Sequence, residues 1–218
     1  MEWTAMEINP EMMEKLGVGA KWRFVDVLGL EKDQLSTVPK PCCALMLLFP
    51  LTQQHESFRK QQADKVVAGS DVYFLKQTVG NSCGTIALLH IVGNNKDNMT
   101  FNDGSALKKF LDDTAALSID ERAKRFQENR VTCNQEAHND IAAQGQCRPG
   151  QDDVNFHFIA FANVNGQLYE FDGKMEGAVN HGATKDETFV MDAAKVCRGF
   201  MEREEGEVRF SSVALCQS

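Results

Sequence analysis

The stretch Gln77-Thr78-Val79-Gly80-Asn81-Ser82-Cys83-Gly84-Thr85 carries the residue types that thiol-based acyl transfer needs. Its composition predicts a strand running into a turn, with Cys83 placed where an apolar helix from Gly84 to Val92 begins. Unpaired amides and the helix dipole at such a start favour negative charge, so a thiol there ionises more easily. Gly84 has no side chain to keep a substrate off the backbone. Gln77 is near enough in sequence to offer its amide to a developing oxyanion. The same position equally suits a cysteine acting as a small buried hydrophobe.

A nucleophilic thiol needs a base, and the chain has 5 histidines. His90 lies along the same helix as Cys83, roughly 10 Å away at the helical rise, and is out of reach. His55 and His138 fall on polar helical stretches and are expected to be solvated. His181, in Asn180-His181-Gly182, reads as a turn residue. His157 differs, because it sits in Phe156-His157-Phe158-Ile159 among bulky apolar groups. Asn165-Gly166 is a strong two-residue hairpin signal. A turn there sets Asp172 opposite Ile159 and diagonal to His157 on one face, about 7–8 Å away, where imidazole and carboxylate can meet. Such a carboxylate would fix the imidazole tautomer and stabilise the imidazolium. A buried ion pair stapling the hairpin would use the same two residues. Cys83, His157 and Asp172 together favour a nucleophile, base and orienter.

The elements that must position these residues follow from turn and period signals. Asn9-Pro10 opens a short helix that Gly17 ends. Trp22 to Leu28 alternates like a half-buried strand, and Ala44 to Phe49 is apolar enough for a central one. Gln53 to Val67 is charged and helix-favouring, while Val72 to Lys76 reads as a strand. Ser105 starts a helix, and Ser118-Ile119-Asp120-Glu121 is a capping box opening another. Gln144 to Asp153 is a loop broken by Gly145, Pro149 and Gly150. Strands are expected at Val154 to Val164, Gln167 to Phe171 and Glu207 to Leu215. Asp186 to Arg203 is helical, with Ala193, Val196, Cys197 and Phe200 on one face. Without repeat or linker, residues 1–218 read as one domain mixing helix and sheet.

Composition bounds the function. The 218 residues carry 31 acids against 23 bases, a formal charge of −8. No basic footprint for nucleic acid is present. Acidity favours a basic partner instead. Neither a secretory signal nor an apolar run long enough to span a bilayer is visible, so a cytoplasmic setting with reduced thiols is expected. The cysteines number 7, an odd count, with no Cys-x-x-Cys spacing for zinc or dithiol redox work. Cys42, Cys43 and Cys197 fall in apolar patterns and read as core. Cys147, in the 144–153 loop, reads as an exposed, oxidation-prone thiol. No metal or cofactor is expected.

Several blocks, in order, closely resemble the ubiquitin carboxyl-terminal hydrolase family: Trp22 to Val27, Gln77 to Ile86, Asn155 to Ile159, Leu168 to Gly173 and Asn180-His181-Gly182. The resemblance implies an α/β fold, a papain-like α/β/α sandwich with a mostly antiparallel sheet and a knotted backbone. It also implies a cysteine deubiquitinase that removes small adducts or short peptides from the C-terminal glycine of ubiquitin. Carried over residue by residue, it makes Cys83 the nucleophile, His157 the base and acid, Asp172 its orienter and Gln77 the oxyanion donor. It makes the 144–153 loop a crossover above the site that limits leaving-group size. The arginines of ubiquitin's tail suggest acidic contacts at Asp26 and Glu7. A second reading is a protein that binds and sequesters ubiquitin with little turnover, its triad misaligned when free. Two features depart from the family: 174–178 lacks the usual proline, and the end Leu215-Cys216-Gln217-Ser218 does not fit a prenylation signal.

Overall fold

The structure is a computed structural model that describes residues 12–19, 21–67, 71–79, 82–128 and 156–217. Glu7, Cys133, His138, Cys147 and the 144–153 loop lie outside the described residues. In chain order the described elements are α1 (Met12–Lys15), β1 (Trp22–Asp26), α2 (Lys32–Leu35), β2 (Cys42–Pro50), α3 (Gln53–Gln62), α4 (Cys83–Asn95), α5 (Ala106–Thr114) and α6 (Ile119–Glu128). They continue with β3 (Phe156–Val164), β4 (Gln167–Phe171), β5 (Val179–Ala183), α7 (Phe189–Arg203) and β6 (Ser211–Gln217).

The strands form one sheet in the order β1-β6-β2-β3-β4-β5, every neighbouring pair antiparallel. Period-two alternation sends side chains to opposite faces. Ala44, Met46, Ala160, Ala162 and Val164 pack on one face with Ile86, Leu89, Ile91 and Val92 of α4. Leu45, Leu47, Phe49, Ile159 and Phe161 pack on the other with Phe189, Ala193, Cys197 and Phe200 of α7. Both faces are covered, giving the expected α/β/α layering. That is also why β2 reads as an unbroken apolar run. The path that would define a knot includes residues 129–155, outside the described residues.

Local chemistry sets most boundaries as expected. Ser118 and Glu121 exchange the reciprocal bonds of a capping box at 2.9 and 3.2 Å. Ser105 caps α5 through the Lys108 N–H. Asn165 and Gly166 both take positive φ, 53° and 77°, and the hairpin pairs Ala160 with Phe171 and Val164 with Gln167. Continued by one step, that register sets Asp172 opposite Ile159.

Three expectations are corrected. Val72 to Lys76 is not a strand; side chains of α4 take its backbone groups instead. Asn94 accepts from Tyr73 N–H (2.7 Å) and donates to Tyr73 C=O (2.9 Å), while His90 Nε2 lies 2.9 and 3.0 Å from Leu75 N and O. Asn180-His181-Gly182 is not a turn but the middle of edge strand β5, paired with β4. The last strand begins at Ser211 rather than Glu207, because the Glu207 carboxylate captures the Val208 and Arg209 N–H groups that a ladder would use.

Candidate active site

Cys83 is the first residue of α4, with Ser82 at its N-cap. Ser82 turns its hydroxyl to the Val79 carbonyl at 2.7 Å rather than capping the helix. No acidic residue occupies the first turn, so nothing there competes with an anion for the free amides. Cys83 is half-buried, with the His157 side chain near enough to influence its ionisation. Burial pushes its thiol up, but the hydrogen bond and charge of His157, with backbone contacts at Phe158 and Gly84, bring it below the ordinary thiol value.

His157 is buried near the start of β3, its ring edge-on to Phe49 with centroids 5.9 Å apart. Its Nε2 lies 2.7 Å from Asp172 Oδ1, leaving Nδ1 for the thiol. Burial disfavours the imidazolium, yet the charge and hydrogen bond of Asp172 and the contact with Cys83 raise the ring above its usual value. Asp172 is buried just beyond the end of β4. Burial alone would raise it; the charge and hydrogen bond of His157, then His55 and Arg59, hold it well below the usual carboxylate range. Its Oδ1 also accepts the Lys174 N–H at 3.0 Å.

Gln77 reaches the same corner by a different route. Its N–H donates to Gly173 C=O at 2.7 Å, tying it to the residue after Asp172. A Cβ on Gly173 would stand 2.7 Å from Ile86 Cγ2 and 3.0 Å from Gln77 Cβ, so only glycine admits this approach. The Gln77 Nε2 donates to Val79 C=O at 3.3 Å, and Oε1 is buried without a partner.

His55, expected to be solvated, and Arg59, which the sequence did not single out, complete the site. His55 is buried, not solvated: it packs against Phe49 (4.5 Å) and Phe200 (5.6 Å), with Nε2 3.9 Å from Asp172 Oδ2. Arg59 donates from Nε to Asp172 Oδ2 (2.9 Å), while its Nη2 lies 3.1 Å from His55 Nε2 and its Nη1 3.1 Å from Glu56 Oε1. The readable signal was the i,i+4 spacing of His55 and Arg59, which puts them on one face of α3. Thr52 anchors that helix by capping the His55 N–H at 3.1 Å and hydrogen-bonding Glu204 after α7.

The remaining described histidines stand apart. Burial drives His90 down to about 3, and it stacks on Phe74 and Phe171 as a neutral core residue. His181 lies 3.3 Å from Glu170. Asp26, at the end of β1, is exposed, and the neighbouring Leu28 is 83% exposed. Among the described residues no group of three or more metal-ligating side chains occurs, and no helix is long and apolar enough to cross a membrane.

A thiol with a depressed pKa, an imidazole with a raised one and a carboxylate held ionised can stabilise a thiolate–imidazolium pair. Among known proteins, the family model described as ubiquitin carboxyl-terminal hydrolase, family 1, matches residues 3–202. The chain is 58% identical to ubiquitin carboxyl-terminal hydrolase isozyme L1 of Monodelphis domestica over 224 residues, covering 100% of this chain and 99% of that one. It is 57% identical to the Homo sapiens isozyme L1 over 225 residues, with 100% of both covered. In fold it is similar to the Trichinella spiralis UCH37 catalytic domain bound to ubiquitin vinyl methyl ester, with TM-score 0.76 and 22% identity over 100% of this chain and 97% of that one. The chain belongs to the ubiquitin carboxyl-terminal hydrolase family 1.

Proposed function

We propose that this chain is a cysteine deubiquitinase that hydrolyses small adducts or short peptides from the C-terminal glycine of ubiquitin. The observation that carries the reading is that Asp172 holds buried His157 at 2.7 Å, while Cys83 and His157 shift each other's ionisation in opposite directions. Cys83 acts as nucleophile, His157 as base and then acid, and Asp172 as the group that orients the ring. The Cys83 thiolate attacks the glycine carbonyl carbon. The oxyanion is held by the Cys83 N–H and by the Gln77 amide, which leaves the Val79 carbonyl to reach it. Collapse breaks the bond to the adduct, whose leaving atom takes the proton from His157 and leaves a thioester. Water, deprotonated by His157, then attacks the thioester and restores the thiol.

The whole of residues 1–218 acts as the catalytic domain, with the 144–153 loop crossing above the site and selecting small leaving groups. Asp26 and Glu7 meet the basic ubiquitin tail; the exposure of Asp26 beside Leu28 supports the first of these. The cytoplasm is the proposed setting. The lowered Cys83 thiol and raised His157 ring, with Asp172 2.7 Å from that ring, support turnover over sequestration.

Turnover of a fluorogenic ubiquitin C-terminal amide tests the reading. Cleavage by the native chain should fall to background in Cys83→Ala while ubiquitin binding is retained. Tight binding with negligible native turnover would instead make this a ubiquitin-sequestering protein. Lengthening the 144–153 loop should speed release of larger adducts; unchanged size selectivity would remove the loop from that role.

A further inference from the structure

Cys42 and Cys216 are Cα partners across β2 and β6. The adjacent Gln217 N–H donates to Pro41 C=O at 3.0 Å, so Pro41 and Gln217 occupy a hydrogen-bonded position of the ladder. Antiparallel positions alternate, which makes Cys42 and Cys216 a non-hydrogen-bonded pair, the closer kind, with Cα atoms about 4.5 Å apart. A disulfide requires about 4.4–6.8 Å, so the backbone already has a compatible spacing. Both side chains lie in the core layer that α7 covers, at 4% and 0% exposure. The β2 register shifts between Cys42 and Ala44, and Cys43 turns to the opposite layer, so it does not compete for the same partner.

The two thiols influence each other's ionisation but are not equivalent in their surroundings. The neighbouring Cys42 thiol and the charge of Arg23 hold Cys216 below the ordinary thiol value against the effect of burial. Cys42 is pushed up by the same pairing and by burial, and its thiol donates to Ala44 C=O at 3.3 Å. Arg23, the β1 partner of Cys216, places a positive charge beside that sulfur, which favours Cys216 as the attacking thiol and Cys42 as the resolving one.

We propose that Cys42 and Cys216 form a reversible cross-strand disulfide when the protein meets hydrogen peroxide, a modification site separate from Cys83. Cys216 sulfur attacks one peroxide oxygen, the O–O bond breaks, and Cys216 becomes a sulfenic acid as one water leaves. Cys42 sulfur then attacks the Cys216 sulfur, the S–O bond breaks, and its oxygen leaves as a second water with the Cys42 proton. The two thiols are oxidised by two electrons and the peroxide is reduced. Cys42 begins β2 and Cys216 lies near the end of β6, so opening of these strand ends admits the oxidant. Phe49, which touches His157, is seven residues along β2, roughly 20 Å away at the strand rise, so the link leaves the triad corner in place.

The test uses the full chain carrying Cys83→Ala, which removes the proposed nucleophile as a competing thiol. After peroxide treatment, free thiols are alkylated under denaturing conditions and a non-reducing digest is mapped by mass spectrometry. The expected product is a Cys42–Cys216 linked peptide pair that dithiothreitol releases, accompanied by a Tm rise of at least about 3 °C, because the link closes a long loop. Cys42→Ala and Cys216→Ala should each abolish both the link and the rise. Recovery of Cys42 and Cys216 as alkylated thiols, a link from either to Cys43, or Cys216 sulfinic acid beside free Cys42 would each overturn the proposal. Mapping in the Cys83→Ala chain alone decides the matter if either second substitution prevents folding.

Discussion

Asp172 gathers more partners than any other residue of the site, and each has a separate consequence. His157 and the Lys174 N–H use Oδ1, while Arg59 uses Oδ2. Asp172→Asn keeps the shape and removes the charge that raises His157. The His157 value then falls, and Cys83, lowered mainly by His157 against burial, rises. The kcat/KM profile against pH should narrow from both limbs, with kcat reduced by about 10²–10⁴. An unaltered profile would show that Asp172 does not set the pair. Because Asp172 is depressed in the folded state, its stabilising contribution is fully present above about pH 4 and is lost as pH falls through its folded value. Urea midpoints measured downward from pH 5 should fall less steeply in Asp172→Asn than in the native chain. Arg59→Gln leaves a buried carboxylate short of a partner and should lower stability by about 3–5 kcal/mol in urea unfolding. Arg59→Lys restores the charge but cannot reach Asp172, His55 and Glu56 together, so it should recover less than half of that loss.

The segment at 72–77 shows how elements deliver residues without being regular themselves. Asn94 and His90 stand in for a neighbouring strand, so the segment runs extended against α4 and presents Gln77 beside Gly173. Asn94→Leu removes both bonds to Tyr73 and should destabilise the fold by about 1–3 kcal/mol, with a loss of kcat larger than any change in KM. Equal loss in both kinetic constants would mean Gln77 is not what moved. The hairpin register was legible because Asn165-Gly166 admits one turn geometry and β3 and β4 have clear lengths. Val72 to Lys76 was not legible as irregular. Its short apolar run is that of a strand, and the partners that replace a ladder are polar side chains of the next helix, which only the tertiary fold lays against it. His55 was misread for a similar reason. The helix around it is charged overall, and its burial depends on Phe49 and Phe200, which only the tertiary fold brings to it. Cys83 was readable because a helix start beside a glycine is a local signal.

At the scale of the whole molecule, covered faces and net charge have different duties. The two apolar layers fix β3 between β2 and β4, which sets His157 where α4 begins. In the proposed function the charge of −8 bears on association with a basic partner rather than on folding. Asp26→Lys should therefore weaken ubiquitin binding and flatten its dependence on ionic strength while leaving Tm within about 1–2 °C. Unchanged affinity would take Asp26 out of the interface. In the proposed mechanism Cys83 is the nucleophile toward ubiquitin's C-terminal carbon. Ubiquitin carrying a C-terminal electrophile, incubated with the native chain and mapped by mass spectrometry, tests it most directly. One covalent adduct at Cys83, absent in Cys83→Ala and slowed in His157→Gln, is the predicted result; modification at any other cysteine with Cys83 left free would contradict it.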